Sequence, residues 1–392
     1  MHTTLRSKNA WARTAVLSSA MAAALLAGCG GGSSGAIPLP SITAVKVMGD
    51  SLADVGTYNF KFTVQGTATD PQLIYPERVA RSYNIAQHCS FFAFDGTTFV
   101  ANTAKTGCTN FAIGGGRING ATARDGLGLE GGAADPRNVG VQLQTAVAAG
   151  NHSANDLLLI DGGGNDAADI IGLYLAIGQA AAVSPAAQQA AIAAYGQALN
   201  SITLLSAVDL TTEQGLADAG GIYMRSLASR FYDQVKADAL DKGAQHVVLL
   251  NIPAVTVTPR FLGVLNFVAA ANGGGTAGAA ARTAAENLFK NWIVAFNSEL
   301  ARRANGESRV VLVDFYNSLL QQVANPSVFG LTNVTGTACP ADVSPSCTAA
   351  ALSASNPPWS TYLFADSFHP TPRGHELAAE QIRSALFNAS WQ

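Results

Sequence analysis

Charge is scarce in this chain and nearly balanced: Lys and Arg number 23 against 26 Asp and Glu in 392 residues, a net charge of −3. The cations are scattered, with no basic stripe, so nucleic acid is not an expected partner. The five cysteines show no zinc-finger spacing, and the four tryptophans form no series that suggests a sugar-stacking platform. No internal repeat is evident. One long apolar run exists, at residues 15–27. It is too short, and too closely followed by small residues, to be an ordinary membrane span.

What is present is an alternation of short apolar runs with long alanine-rich stretches. The runs at 44–48, 156–160, 246–252 and 309–315 read as strands and the stretches between them as helices. That alternation predicts an α/β fold with a mostly parallel sheet covered on both faces. Chemistry is expected at the C-terminal ends of such strands. Directly after the first run comes Gly49-Asp50-Ser51-Leu52-Ala53-Asp54-Val55-Gly56, a turn that stops the strand and presents Ser51 as an exposed, backbone-fixed hydroxyl. Such a serine is a candidate nucleophile only with a base, an orienting acid and oxyanion donors.

All of these are supplied elsewhere. In Asp366-Ser367-Phe368-His369-Pro370 the proline keeps His369 out of helix. Thr371-Pro372 reads as an N-cap and first helical residue, so His369 lies on a loop just ahead of a C-terminal helix. An offset of three lets Asp366 reach the imidazole ring and hold the tautomer that faces Ser51. Asn110-Phe111-Ala112-Ile113-Gly114-Gly115-Gly116 reads as a short strand running into a bare turn. Gly162-Gly163-Gly164-Asn165-Asp166 follows the second strand and places Asn165 where a helix begins. The N–H groups of Ser51 and Gly115 and the amide of Asn165 are then candidate oxyanion donors.

These four separated blocks, at 49–56, 110–116, 163–166 and 366–369, resemble the SGNH, or GDSL-type, serine hydrolases, and they span nearly the whole mature chain. The resemblance implies a three-layer, flavodoxin-like sandwich with helical and loop insertions. It makes Ser51 the nucleophile, His369 the base, Asp366 its partner, and Ser51, Gly115 and Asn165 the oxyanion hole. It implies no cofactor, and a small-molecule or lipid ester as substrate. A general carboxylesterase or lipase is the leading expectation, with a phospholipase, lysophospholipase or carbohydrate acetylesterase as alternatives within the family and a non-catalytic surface-binding protein as the alternative outside it. An α/β-hydrolase elbow is disfavoured, because Gly49-Asp50-Ser51-Leu52-Ala53 lacks the second glycine.

Other titratable residues have plainer readings. Asp50 and Asp54 suit structural turn and first-turn helix acids. Asp161 and Asp166 flank an asparagine without the ligand spacing of a calcium loop, so no metal is expected. His375 falls inside the predicted helix with no acid three residues before it, and His88, His152 and His246 read as ordinary surface or core histidines.

At the N terminus Arg6, Lys8 and Arg13 precede the apolar run, which reads as an export signal over residues 1–28. Its end, Leu26-Ala27-Gly28-Cys29, resembles the bacterial lipobox and implies lipid attachment at Cys29. Residues 29–41 form a Gly/Ser/Pro tether, and 42–392 the hydrolase domain. No aspartate follows Cys29, which by resemblance to lipoprotein sorting favours an outer-membrane lipoprotein held to the membrane through its lipid, on its periplasmic or surface face, with a secreted protein as the alternative; a monomer is expected. The other four cysteines make an even set. In an oxidising compartment Cys89 with Cys108 and Cys339 with Cys347 is the simplest of three pairings. The first pair closes a predicted hairpin at 91–100, turning at Asp95-Gly96. The stretches 184–240 and 326–361 are expected to be cap and rim around the site.

Overall fold

The computed structural model describes residues 40–392 apart from 87, 121–131, 133, 204, 206, 207 and 356. The expected signal segment, most of the tether and Cys29 lie outside the described residues. In chain order the elements are β1 (Ala44–Met48), α1 (Tyr75–Ser82), β2 (Phe92–Phe94), β3 (Phe99–Ala101), α2 (Val139–Ala148), β4 (Asp156–Ile160), α3 (Gly164–Ala181) and α4 (Pro185–Asn200). They continue with α5 (Glu213–Asp238), β5 (His246–Leu250), α6 (Pro259–Ala271), α7 (Gly275–Ala304), β6 (Val310–Val313), α8 (Phe315–Ala324), β7 (Asn333–Thr337), β8 (Tyr362–Phe364) and α9 (Pro372–Asn388).

The central sheet has the order β1-β4-β5-β6 and every pairing is parallel. Parallel neighbours need crossover helices, and these cover both faces, so the strands carry apolar side chains at consecutive positions. All five residues of β4 are buried. Successive side chains point to opposite faces, and the core divides accordingly. Leu158, Ile160, Val247 and Leu249 join one buried cluster, with Leu143, Tyr223, Leu227, Phe231 and Phe296 from α2, α5 and α7. Leu157, Leu159, Val248 and Leu250 join another, with Tyr75, Val79, Ile382 and Leu386 from α1 and α9. The result is the expected three-layer α/β sandwich.

Several local expectations need correction. The 110–116 block is not a strand: it touches β1 through one isolated bridge, Val47 with Asn110. Asn110 turns the chain there, because its Oδ1 accepts the Ala112 N–H at 3.1 Å and its Nδ2 donates to the Ala53 carbonyl at 2.8 Å. After Ser51 the chain makes a single turn, with the N–H groups of Ala53 and Asp54 both on the Asp50 carbonyl, so Asp54 heads no helix. The third and fourth strands end earlier than expected because Asn297 captures both backbone groups of Ile252 and Asp314 caps α8. The 184–240 stretch is not a cap: its second half is α5, whose Tyr223, Met224, Leu227 and Phe231 are fully buried beneath the sheet.

The hairpin of β2 and β3 is antiparallel, pairing Phe94 with Phe99. Asp95 Oδ1 accepts the Thr97 and Thr98 N–H groups, and Gly96, at φ +100°, supplies the left-handed turn residue that a side chain would strain. Disulfides join Cys89 to Cys108 and Cys339 to Cys347. The 326–361 segment carries β7, which pairs parallel with β8 and brings its loop to the catalytic end of the sheet. Among the described residues no helix is long and apolar enough to cross a membrane.

Candidate active site

Ser51, Asn165 and His369 arrive at one place because two parallel strands and one capped helix end there. The turn carrying Ser51 leaves β1, and Asn165 opens α3 directly after β4. Thr371 caps α9 by accepting the Gly374 N–H at 3.2 Å, with Pro372 at the first helical position, so His369 stays on the preceding loop. His369 Nε2 lies 2.9 Å from Ser51 Oγ, and His369 Nδ1 lies 2.7 Å from Asp366 Oδ2. The ring closes over the hydroxyl, and Ser51 is 5% exposed rather than the open serine expected.

Asp366 is held from four directions. Its Oδ1 accepts the Phe368 and His369 N–H groups at 2.8 and 2.6 Å, and its Oδ2 accepts the Val343 N–H at 3.2 Å besides facing the imidazole. Burial alone would raise its pKa. The hydrogen bond and charge of His369, with the backbone N–H groups, outweigh it and hold the carboxyl at about 2. The Val343 donor comes from the 326–361 segment, which therefore supports the acid as well as forming rim.

The turn that carries Ser51 is clamped by buried side chains from three other elements. Gln142 on α2 both accepts from the Gly49 N–H at 2.7 Å and donates to the Gly49 carbonyl at 3.0 Å. Asp161, at the end of β4, accepts the Asp50 N–H at 2.9 Å and the Tyr75 hydroxyl of α1 at 2.7 Å. A Cβ at Gly49 would collide with that carboxylate, so glycine is required where β1 meets the turn. Asp54 Oδ2 accepts the Gly114 N–H at 2.9 Å, while its Oδ1 accepts Gly56 and Thr57. Asp54 thus ties the 114–116 turn to the turn that carries Ser51.

Gly115 lies at φ +80°, a conformation that glycine adopts without strain. Among the described residues neither the Ser51 nor the Gly115 N–H donates to a protein acceptor, whereas Gly114 donates to Asp54 and Gly116 to the Ile113 carbonyl. Of the three glycines, Gly115 is therefore the one with a donor to offer. Asn165 Nδ2 donates to the Gly116 carbonyl at 2.9 Å and, at the longer distance of 3.4 Å, to Asp50 Oδ2.

Acids that sequence alone presents as bystanders have distinct environments. Burial, then the neighbouring Asp161, pushes Asp50 well above the usual carboxylate range; burial does the same to Asp161 against its bonds from Tyr75 and Asp50. Burial raises Asp166 to about 6 although it accepts the Ile118 and Asn119 N–H groups. Asp161 and Asp166 spend their oxygens on different donors, and among the described residues no acidic, His or Cys group is arranged to hold a metal. His375 is buried in α9, stacked on Tyr75 at 6.3 Å and held neutral by burial and by Arg78. His88, His152 and His246 lie away from the Ser51 hydroxyl, bonded or packed at Asn110, Lys46 and Trp391 respectively.

Against the turn that carries Ser51 lies a mostly apolar cavity of about 90 Å³. Leu52, Val255, Phe315, Leu319, Phe364 and Phe368 contribute to its wall. Phe368 also meets the His369 ring edge-on at 5.6 Å, and Phe62 meets it at 5.1 Å. Phe368 precedes His369 directly in the chain, whereas Phe62 comes from far away and no motif singles it out.

With this geometry in view, the comparisons decide the family. The model of the GDSL-like lipase/acylhydrolases matches residues 45–382. The chain belongs to that family. A lipase, Lipase 1 of Photorhabdus luminescens, is 27% identical over 364 residues, covering 87% of this chain and 49% of that protein. A GDSL esterase/lipase of Arabidopsis thaliana is 26% identical over 166 residues, 42% of this chain and 43% of that protein. The matched stretch thus spans less than half of either relative. Membership accounts for the parallel sheet flanked by helices.

Proposed function

We propose that this protein hydrolyses carboxylic esters through an acyl-enzyme on Ser51. The observation that carries the reading is the continuous chain from Asp366 through His369 to Ser51, with contacts of 2.7 and 2.9 Å. Asp366, ionised at neutral pH, keeps the proton on Nδ1, so Nε2 is free to accept the serine proton as Oγ attacks the ester carbonyl. The negative charge that develops on the carbonyl oxygen meets the Ser51 and Gly115 N–H groups. Asn165 joins them by giving up its long bond to Asp50 while its bond to Gly116 still orients the amide. Each such donor contributes about 3 kcal/mol to transition-state stabilisation. His369 then protonates the departing alkoxide and activates water, which releases the acid.

The cavity of about 90 Å³ suits the acyl chain. The acyl group stays bonded to Ser51 between the two half-reactions, so a pocket lined by Asp50 and Leu52, on either side of Ser51 in the chain, can hold it without blocking departure of the alcohol. Its mostly apolar lining favours an apolar acyl group. Export and lipid attachment at Cys29 complete the proposal; their support is the sequence around 26–29, with the two disulfides fitting an oxidising compartment.

The test is a fluorophosphonate probe together with p-nitrophenyl esters of graded acyl length, compared with acetylated xylan and phosphatidylcholine. Labelling is expected at Ser51, with turnover highest on the p-nitrophenyl esters and lost in a folded Ser51→Ala protein. Retained turnover with labelling at another serine would refute the assignment. Unchanged membrane partitioning of Cys29→Ser, with no lipid mass on the mature N terminus of the unaltered protein, would refute the anchor.

A further inference from the structure

Five half-buried aromatic rings run from the catalytic histidine to the β2–β3 hairpin. Phe62 lies 5.1 Å from the His369 ring and 5.2 Å from Phe60, and Tyr58 lies 6.2 Å from Phe60 and 5.9 Å from Phe62. From Tyr58 the series continues to Phe94 at 5.4 Å and Phe99 at 5.7 Å, which are themselves 5.2 Å apart. All five retain solvent exposure. The Tyr58 hydroxyl donates to the Gly114 carbonyl at 3.0 Å, so the row is fastened to the turn that presents Gly115 as well as abutting His369.

Holding the hairpin in place explains only part of this row. That task falls to Phe92, which is buried, to Phe91 tilted against Phe111 at 4.6 Å, and to the Cys89–Cys108 disulfide. Tyr58 and Phe99 pack against the main core, but Phe60, Phe62 and Phe94 belong to none of the buried clusters. Three apolar rings left partly in water beside a reactive centre cost solvation unless something covers them.

Resting on the ester-hydrolase reading above, we propose that this aromatic row is the subsite for the alcohol part of the substrate, and that it selects esters whose alcohol is flat and apolar, such as aryl or arylalkyl esters. Two observations assign it to the alcohol rather than to the acyl group. The row starts at the ring whose Nε2 must protonate the leaving oxygen, so a group attached to that oxygen begins its path there. The five rings also keep solvent exposure, as a departing product requires, and none of them lines the separate cavity bounded by Leu52 and Phe368, which is left for the part that stays covalently bound. Stacked or edge-on contacts between the alcohol and these rings add to simple burial. They fall on a group that is still bonded in the transition state of acylation and absent in deacylation.

The experiment holds the acyl group constant and changes the alcohol: 2-naphthyl butyrate against methyl butyrate, followed by alkali uptake so that both are read the same way. The unaltered protein is expected to prefer the naphthyl ester in kcat/KM by more than their chemical reactivities differ. In Phe60→Ala and Phe94→Ala the ratio of the two kcat/KM values is expected to fall by roughly two- to tenfold per ring. Phe60→Leu, which keeps apolar bulk but removes the π face, is expected to lower the same ratio and guards against loss of folding in the alanine variants. A ratio unchanged in all three, whatever happens to the absolute rates, overturns the proposal. Saturable binding of 2-naphthol, weakened in Phe60→Leu, gives a readout without turnover, and absence of such binding also overturns it. Failure of the esterase reading is recognised separately, as hydrolysis that survives Ser51→Ala or as no hydrolysis of either ester.

Discussion

Replacing Asp366 with asparagine separates orientation of His369 from the rest of the machinery, and its cost follows from which atoms the carboxylate now serves. The amide that results has two placements. In the first its oxygen takes the place of Oδ1, which accepts the Phe368 and His369 N–H groups at 2.8 and 2.6 Å, and its NH₂ faces Nδ1 and the Val343 N–H. Nδ1 must then accept, the ring proton moves to Nε2, and the nitrogen facing Ser51 can no longer take a proton. In the second the oxygen faces Nδ1 and the tautomer is correct, but the NH₂ meets two short backbone donors. Each buried donor left without an acceptor costs about 1–3 kcal/mol. The first placement has one such conflict, at the long Val343 contact, and the second has two. The inactive tautomer is therefore favoured by about 1–3 kcal/mol, roughly 5- to 150-fold. Loss of the negative charge that stabilises the imidazolium is added to this, so kcat is expected to fall by about 10² to 10⁴, the upper figure being the loss known for the equivalent change in a serine protease. The assay is single-turnover hydrolysis of p-nitrophenyl butyrate, with urea unfolding to confirm the fold. A folded Asp366→Asn protein within tenfold of the original rate would refute the tautomer argument.

Three further outcomes are expected. Asn165→Ala should lower kcat by about 10² to 10³ with little change in KM if, as proposed, its amide serves the oxyanion and not the ground state; a change confined to KM would count against that role. Asp50→Asn should stabilise the protein increasingly as pH rises above about 4, since Asp50 has a raised folded pKa. The original protein has no ionisation penalty below the unfolded value and loses stability as pH rises through the folded one. A parallel pair of urea midpoint curves between pH 4 and 8 would contradict this. Removing the Cys89–Cys108 bridge, whose cysteines are 19 positions apart, by a double serine substitution should cost about 3 kcal/mol. No change in unfolding midpoint would show that the hairpin is held by its aromatic packing alone.

Legibility of the fold from sequence depended on whether a signal was local. Fully buried parallel strands announce themselves as apolar runs, and β4 is buried at every position, so the α/β sandwich could be read directly. The Asp366–His369 pair was legible for the same reason, being three residues apart before a proline-started helix. What escaped were decisions made across long separations. Gln142 meets Gly49 from 93 residues away, Asp54 meets Gly114 from 60 and Val343 meets Asp366 from 23, and no spacing rule joins them. The misreading of α5 as cap has a related cause. Its sequence signals a helix, but whether a helix covers a sheet or crowns it is set by its partners, here α7 and the strands.

The residues of the site divide by chemistry in a way that clarifies it. The groups proposed to touch the reacting atoms keep one valence open: the Ser51 and Gly115 N–H groups lack protein acceptors among the described residues, and Asn165 holds one of its two hydrogens only loosely, at 3.4 Å. The groups behind them are saturated. Gln142 bonds the Gly49 backbone through both amide atoms, and Asp161 and Asp54 each use both oxygens on short donors. A catalytic turn needs both properties, since an oxyanion donor already satisfied by the protein gains little in the transition state, and an unsupported one must reorganise as charge develops. Motifs identify the open groups because the reaction dictates residue type. The saturated groups are dictated only by where an N–H or carbonyl happens to need a partner, so Gln, Asp or Tyr can serve, and the three-dimensional structure is where they become visible.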